Sequence, residues 1–247
     1  MKAMIFAAGL GTRLKPYTET MPKALVPVAG TPMLEILIKQ LIGSGINQII
    51  INVHHFAGQI IDFLTQNKNF GVDITISNEE DLLLDTGGGL KKAAWFFNDE
   101  QPFLVQNVDV ISDLNYAEML ERHVQNGSLA TLALCRRETS RYFLFDEKLQ
   151  LCGWENTKTM EVKMVRPHAE KLERLAFSGI HIIDPAIFNL MHSEGKFSIV
   201  DTYLELAVSH KITGFEHNPA NWVDMGKPEE LQKAEIILEK IINLPEK

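Results

Sequence analysis

The sequence predicts an α/β fold of three layers, a mixed and mainly parallel sheet with flanking helices. Three observations predict it. The first half of the 247 residues alternates short apolar β-rich runs with stretches of helical period, the pattern of βαβ units. The middle strings β candidates together with few helices between them, so added, partly antiparallel structure is expected at one edge of the sheet. No linker, repeat or low-complexity stretch interrupts the chain, so residues 1–247 are read as one domain. A chain of this length buries roughly three-quarters of its unfolded surface and needs no disulfide or structural metal to hold a core.

Ala3 to Ala7 is a compact apolar run, read as a buried first strand. Thr31-Pro32 opens a helix, with Thr as cap and Pro at the first helical position. Met33, Leu34, Leu37, Ile38, Leu41 and Ile42 give that helix its apolar stripe, and Gly43 and Gly45 end it. Strands follow at 46–53, 72–77 and 103–108, and helices at 57–67, 88–97 and 114–125. The β candidates of the middle are 129–136, 141–145, 149–155, 160–165 and 177–183. Asp184-Pro185 starts a short helix, and another runs to Ser209 from Ser198 or Ile199. A last helix opens near Pro228 and carries Leu231, Ala234, Ile237, Leu238 and Ile241.

Composition removes several function classes. The formal charge of -8, from 24 basic and 32 acidic residues, argues against a nucleic-acid surface. No apolar run reaches about 18 residues, so no membrane span is expected. The apolar start is too short for a signal peptide and is broken at once by glycines. Cys135 and Cys152 lack metal-site spacing and read as reduced thiols of a cytoplasmic protein. The pattern leaves oligomeric state open.

Two stretches carry chemistry. Ala7-Ala8-Gly9-Leu10-Gly11-Thr12-Arg13 follows the first strand directly. Small residues there let backbone N–H groups approach a phosphate, and Arg13 adds a charged fork suited to its oxygens. Alone, this reads equally well as a plain turn. It is not the dinucleotide fingerprint, because Leu14 stands where a third glycine belongs. Neither Asn52, Val53 nor His54 supplies the acidic ribose residue of a dinucleotide-dependent oxidoreductase. The second stretch, Met21-Pro22-Lys23-Ala24-Leu25-Val26-Pro27, frames a lysine between prolines. Its charge is then held by a stiff backbone, although a plain surface lysine fits too.

Together these stretches, in this order and spacing, resemble the sugar-1-phosphate nucleotidyltransferases. Asp85-Thr86-Gly87-Gly88-Gly89 is similar to the family's Gly-Thr loop, and Asn107-Val108-Asp109-Val110 to its metal-aspartate strand end. Phe177-Ser178-Gly179-Ile180 is similar to its sugar-contacting strand, and Trp222-Val223-Asp224-Met225-Gly226 to its second metal-aspartate motif. The resemblance runs from residue 3 to about 232 and looks closest to the N-acetylmuramate-1-phosphate uridylyltransferase group.

The resemblance implies a Rossmann-like, nucleotide-diphospho-sugar transferase fold. It implies a reaction of an NTP, UTP favoured, with a sugar-1-phosphate to give an NDP-sugar and pyrophosphate. A mannose- or heptose-1-phosphate guanylyltransferase is the alternative. A non-catalytic regulatory relative would be expected to lack Arg13, Lys23 or an aspartate, and all are present. Mg²⁺ is the implied cofactor, held by Asp109 and Asp224. Arg13, Lys23 and Asp109 are the implied catalytic residues. Ala8, Gly9, Gly11, Thr12, Thr86, Gly87 and Glu80, or its neighbour Glu79, would bind nucleotide. Asn156, Gly179 and Glu205 would contact sugar, although the helix of Tyr203 and Glu205 serves core packing at least as well. The family's sugar-phosphate lysine has no counterpart, and Asn156 or Arg166 would take its role.

Overall fold

The computed structural model describes residues 1–166 and 171–242. In chain order, the first half runs β1 (Ala3–Phe6), β2 (Pro27–Val28), β3 (Thr31–Pro32), α1 (Met33–Gly43), β4 (Gln48–Val53), α2 (Ala57–Gln66), β5 (Asp73–Asn78), α3 (Asp85–Lys92), β6 (Phe103–Asn107), β7 (Val110–Ser112) and α4 (Tyr116–Asn126). The second half runs β8 (Ala130–Cys135), β9 (Arg141–Phe145), β10 (Leu151–Asn156), β11 (Glu161–Met164), β12 (Glu173–Ile183), α5 (Ile199–Ala207), β13 (Ile212–Glu216), β14 (Trp222–Asp224) and α6 (Pro228–Ile242).

The main sheet has the order β11-β10-β9-β12-β6-β1-β4-β5, with β8 paired to β12 and β13 to β8. β6, β1, β4 and β5 are mutually parallel. β1 is buried along its whole length, as a central strand covered on both faces must be. Its side chains alternate between two cores. Ala3 and Ile5 pack with Leu34, Leu37 and Leu41 of α1, Ile60 and Leu64 of α2, and Met119 of α4. Met4 and Phe6 pack on the opposite face with Leu90 of α3 and Ile199 and Tyr203 of α5. Period-2 strands between period-3.6 helices thus give the three predicted layers. A third cluster joins α6 to α1, through Ala234 and Ile237 against Met33 and Ile36.

The antiparallel edge is also present. β9, β10 and β11 extend the sheet. Glu173 to Leu175 of β12 pair with β9, and Ile180 to Ile183 pair with β6. Both cysteines are buried free thiols. Among the described residues, no helix is long and apolar enough to cross a membrane.

Three local expectations change. Thr31 does not cap α1 with its side chain; it pairs with Val28 in a ribbon, and Pro32 becomes the N-cap. The helix expected at 88–97 begins earlier and ends earlier, as α3 over Asp85–Lys92, with a 3-10 turn at Ala94–Phe96. Three consecutive glycines hide a helix from propensity, but tertiary contacts enforce it here. Trp222 to Asp224, not among the β candidates of the sequence, form β14, which pairs antiparallel with β7.

Candidate active site

The carboxyl ends of β5, β4, β1 and β6 meet at one edge of the sheet, where open α/β sheets bind ligands. A cleft of about 510 Å³ opens there, lined by residues 6–13 together with Lys23, Asn52, Glu79, Asp85, Thr86, Asn107, Asp109, Lys196, Asp224 and Gly226. A volume of this size suits a small-molecule ligand.

The floor is the turn after β1. Among the described residues, the amides of Ala8, Gly9 and Gly11 donate to no protein acceptor. Gly11 has φ +63°, and a Cβ there would lie 2.8 Å from Thr18 Cγ2 and 3.0 Å from Lys23 Cβ. Only glycine meets both demands, so the turn stays tight against the lysine segment. Thr18 Oγ1 and Leu14 N both donate to Gly11 O, at 2.9 and 2.8 Å. Leu14 is fully buried in the α6-side cluster. That anchor leaves Thr12 and Arg13 exposed at the cleft. Arg13 has no ion-pair partner among the described residues, and its guanidinium lies beside Gly226, where a Cβ would be 2.8 Å from Nη2.

A buried polar chain holds one side of the floor. Ala7 N donates to Asn52 Oδ1 at 2.8 Å, Asn52 Nδ2 to Glu79 Oε1 at 2.7 Å, and Leu84 N to Glu79 Oε2 at 3.1 Å. Both Glu79 oxygens are therefore occupied by protein donors. Glu80, the residue expected to read the base, is exposed and paired with Asn78 instead, outside the cleft wall. Strand alternation explains this: neighbours after β5 point to opposite sides.

The opposite side carries the carboxylates. Asp109 sits in the two-residue link between β6 and β7. Tyr116 donates to Gln106 Oε1 at 2.7 Å and Gln106 Nε2 to Val110 O at 3.1 Å, which fixes that link from below. The β14–β7 pairing sets Asp224 opposite Val110, and Met225 N donates to Asp109 O at 2.8 Å. Two carboxylates 115 positions apart in sequence are thereby brought side by side. Lys23, held in a 3-10 turn with Leu25 N bonded to Pro22 O, forms a hydrogen-bonded ion pair with Asp109.

Charge sorting follows. Burial alone would raise the Asp109 pKa, but the charge and hydrogen bond of Lys23, with the hydrogen bond of Asp224, outweigh it and hold the group below the usual carboxylate range. Burial, then the Asp109 charge and hydrogen bond, push Asp224 up to about 6, against Lys23 and the Gly226 N–H. Two adjacent carboxylates share their protons unequally, as like charges require.

The remaining expected residues separate. Thr86 lines the cleft, and its Oγ1 accepts from Ile199 N at 3.0 Å. Gly87 is buried beneath Phe197 and is not on the cleft wall. Gly179 lies behind the wall, in the β12 irregularity, against the cleft residue Asn107. Asn156 ends β10, where its Oδ1 accepts from Lys158 N, and Glu205 is an exposed residue of α5; neither lines the cleft. Tyr203 is fully buried and bonds His181, so α5 turns that side chain to the core. Arg166 donates to the carbonyls of Ala207 and His210, so the α5 end consumes its charge. Lys196, which the sequence motifs did not flag, does line the cleft.

The fold and cleft define a nucleotide-diphospho-sugar transferase fold. A Bacillus anthracis structure described as a putative glucose-1-phosphate thymidylyltransferase in complex with a sucrose superposes with TM-score 0.78, at 22% identity, covering 100% of this chain and 98% of that one. The chain belongs to the nucleotidyl transferase family, whose model matches residues 2–240. It is 30% identical to a mannose-1-phosphate guanyltransferase of Yarrowia lipolytica over 93% of its own length. It spans 62% of that relative's length. It is 29% identical to an N-acetylmuramate alpha-1-phosphate uridylyltransferase of Neisseria meningitidis, over 96% of this chain and 98% of that one.

Proposed function

We propose that this chain is a sugar-1-phosphate nucleotidyltransferase that uses UTP, with an N-acetylmuramate-1-phosphate type of acceptor favoured. The observation that carries the reading is the gathering of Arg13, Lys23, Asp109 and Asp224 around unpaired amides at the end of β1. A phosphate oxygen of the sugar phosphate attacks the α-phosphorus of the NTP. The new O–P bond forms as the bond from the α-phosphorus to the pyrophosphate oxygen breaks. Both reactants are anions, so alignment and charge screening do most of the work. The amides of Ala8, Gly9 and Gly11 hold nucleotide phosphates, Arg13 receives the charge that develops on pyrophosphate, and Lys23 holds the α-phosphate or the sugar phosphate.

Asp109 and Asp224 fit Mg²⁺. They offer hard oxygen donors side by side, and Mg²⁺ is commonly bound by one or two carboxylates plus substrate phosphates. Among the described residues no set of three His, Cys, Asp or Glu side chains is gathered, so phosphate oxygens would complete the shell. Bound there, the ion neutralises phosphate charge and polarises the α-phosphoryl group.

The base and sugar rest on likeness. The match to the uridylyltransferase of Neisseria meningitidis covers nearly all of both chains. The guanyltransferase match at similar identity supports a second reading, GTP with mannose- or heptose-1-phosphate. A pyrophosphate-release screen of four NTPs against a panel of sugar-1-phosphates with Mg²⁺ decides. UTP with N-acetylmuramate-1-phosphate is expected to give the highest kcat/KM. A clear preference for GTP with a mannose or heptose phosphate overturns the first reading for the second, and no release with any pair overturns both.

A further inference from the structure

The cleft has three cationic side chains, Arg13, Lys23 and Lys196. Lys23 is committed to Asp109. Arg13 lies beside Gly226 and Asp224, on the carboxylate side. Lys196 approaches from the α3 side, is exposed, and has no partner among the described residues. A surface lysine without a partner is ordinary. This one differs in how its backbone is held.

Gly87 N and Gly88 N, at the start of α3, both donate to Phe197 O, at 2.9 and 3.2 Å. Phe197 N donates back to Leu84 O at 3.1 Å, and Ile199 N to Thr86 Oγ1 at 3.0 Å. A Cβ on Gly88 would lie 2.1 Å from Gly195 O, and one on Gly87 2.5 Å from the Phe197 ring. Gly87 and Gly88 thus make room for Gly195 and Phe197, and Gly89 for Glu79 and Asn52. Three backbone–backbone bonds and one to the Thr86 hydroxyl, reaching across more than 100 positions in sequence, fix a segment whose one charged side chain at the cleft is Lys196. Side chains held on a fixed backbone lose less freedom when they bind.

The cations proposed above for the reaction leave the sugar phosphate with Lys23 alone, which must also serve Asp109. Of the basic residues near Asn156, Arg166 and Lys163 are engaged elsewhere, with backbone carbonyls and with Asp201 and Glu161, and Lys158 is exposed and does not line the cleft. We propose that Lys196 is a binding residue for the acceptor, contacting an anionic oxygen of the sugar-1-phosphate. The inference rests on the transferase reading. The oxygen belongs either to the 1-phosphate or to a carboxylate carried by the sugar, and both present the same chemistry to an ammonium group.

The test compares wild type, Lys196→Met and Lys196→Arg. Calorimetry measures binding of UTP and GTP, and of N-acetylglucosamine-1-phosphate and N-acetylmuramate-1-phosphate, which differ in a carboxylate. Steady-state pyrophosphate release gives KM for each substrate. Because Lys196 is exposed, circular dichroism is expected to match in all three. Lys196→Met is expected to weaken the preferred sugar-1-phosphate about 10- to 100-fold in Kd and KM, leave NTP affinity within about twofold, and be largely rescued in Lys196→Arg. Equal loss for both sugars assigns the contact to the 1-phosphate. Loss confined to the muramate compound assigns it to the carboxylate. Unchanged sugar-phosphate binding in Lys196→Met, with wild-type release intact, overturns this inference alone, as does a loss confined to the NTP. Wild type that binds neither sugar phosphate and releases no pyrophosphate overturns the transferase reading and this inference together.

Discussion

The Lys23 ammonium stands on the Asp109 carboxylate, 86 positions away in sequence, with only 13% and 11% of the two side chains exposed. Removing one partner of a buried pair strands the other, at a cost of about 3–5 kcal/mol in fully buried cases. Lys23→Met is therefore expected to melt lower than wild type without metal and to recover part of the loss when Mg²⁺ is added. Turnover should fall on the order of 10²-fold. Thermal melts with and without Mg²⁺, plus steady-state kinetics, check both; identical melts in metal-free buffer would show that the pair adds nothing.

Arg13→Ala separates function from stability. The guanidinium is exposed and has no ion-pair partner among the described residues, so melting should stay within a degree or two. The rate should drop on the order of 10²-fold or more, because a preorganised charge at the leaving group is lost. Wild-type kinetics would move the pyrophosphate site elsewhere.

The pKa values of Asp109 and Asp224 shift in opposite directions. Asp224 titrates near 6 in the folded chain against an ordinary 3.8. The folded state then binds more protons between about pH 4 and 6, so this group's contribution to stability falls as pH rises through that window. Asp109 is lowered; its contribution is present above the ordinary carboxylate range and is lost only as pH drops below it. Asp224→Asn should flatten the pH 4–6 slope and raise the metal-free melting temperature at pH 7.5, by about 2–4 °C for each kcal/mol. It should nearly abolish turnover, as should Asp109→Asn. Apparent Mg²⁺ affinity of wild type should rise up to about pH 6 and level off, because protons on Asp224 compete with the cation. Normal turnover in Asp224→Asn would leave Asp109 as the sole protein carboxylate for the ion.

Gly88→Ala places a methyl group against Gly195 O and is expected to cost about 1–3 kcal/mol, read as a drop of several degrees in melting temperature. Gly9→Ala is the control: no atom lies within 4 Å of its would-be Cβ, so melting should hold while KM for the NTP rises. Equal melts for the two variants would mean that the α3 start can yield.

The layers were legible because burial on both faces makes β1 and β4 near-continuous apolar runs, and burial on one face gives α1 its helical stripe. The ordered motifs also led to the cleft, placing Arg13, Lys23, Asp109 and Asp224 at one edge. What escaped depends on contacts between distant segments. Propensity cannot see that Phe197 O completes the first turn of α3, so the helix reads as starting at Gly88 rather than at Asp85. Glu79 and Glu80 differ by one position, and strand alternation alone does not say which one faces in. Lys196 belongs to no motif and reaches the cleft only through the residues bonded to Gly87 and Gly88. Arg166 looked available because nothing local reveals that the end of α5, more than 40 positions on, takes the arginine.

The pairing of β14 with β7 has a consequence in time. A chain is made from its amino end, and the phosphate turn, Lys23 and Asp109 all emerge within the first 109 residues. Their counterweight, Asp224, arrives only when residues 222–224 reach β7, and Lys196 only shortly before that. For 115 positions of its synthesis, from Asp109 to Asp224, the nascent chain carries the lysine–aspartate pair without the second carboxylate. The two carboxylates proposed to hold Mg²⁺ thus come together only after most of the cleft's lining residues have been made.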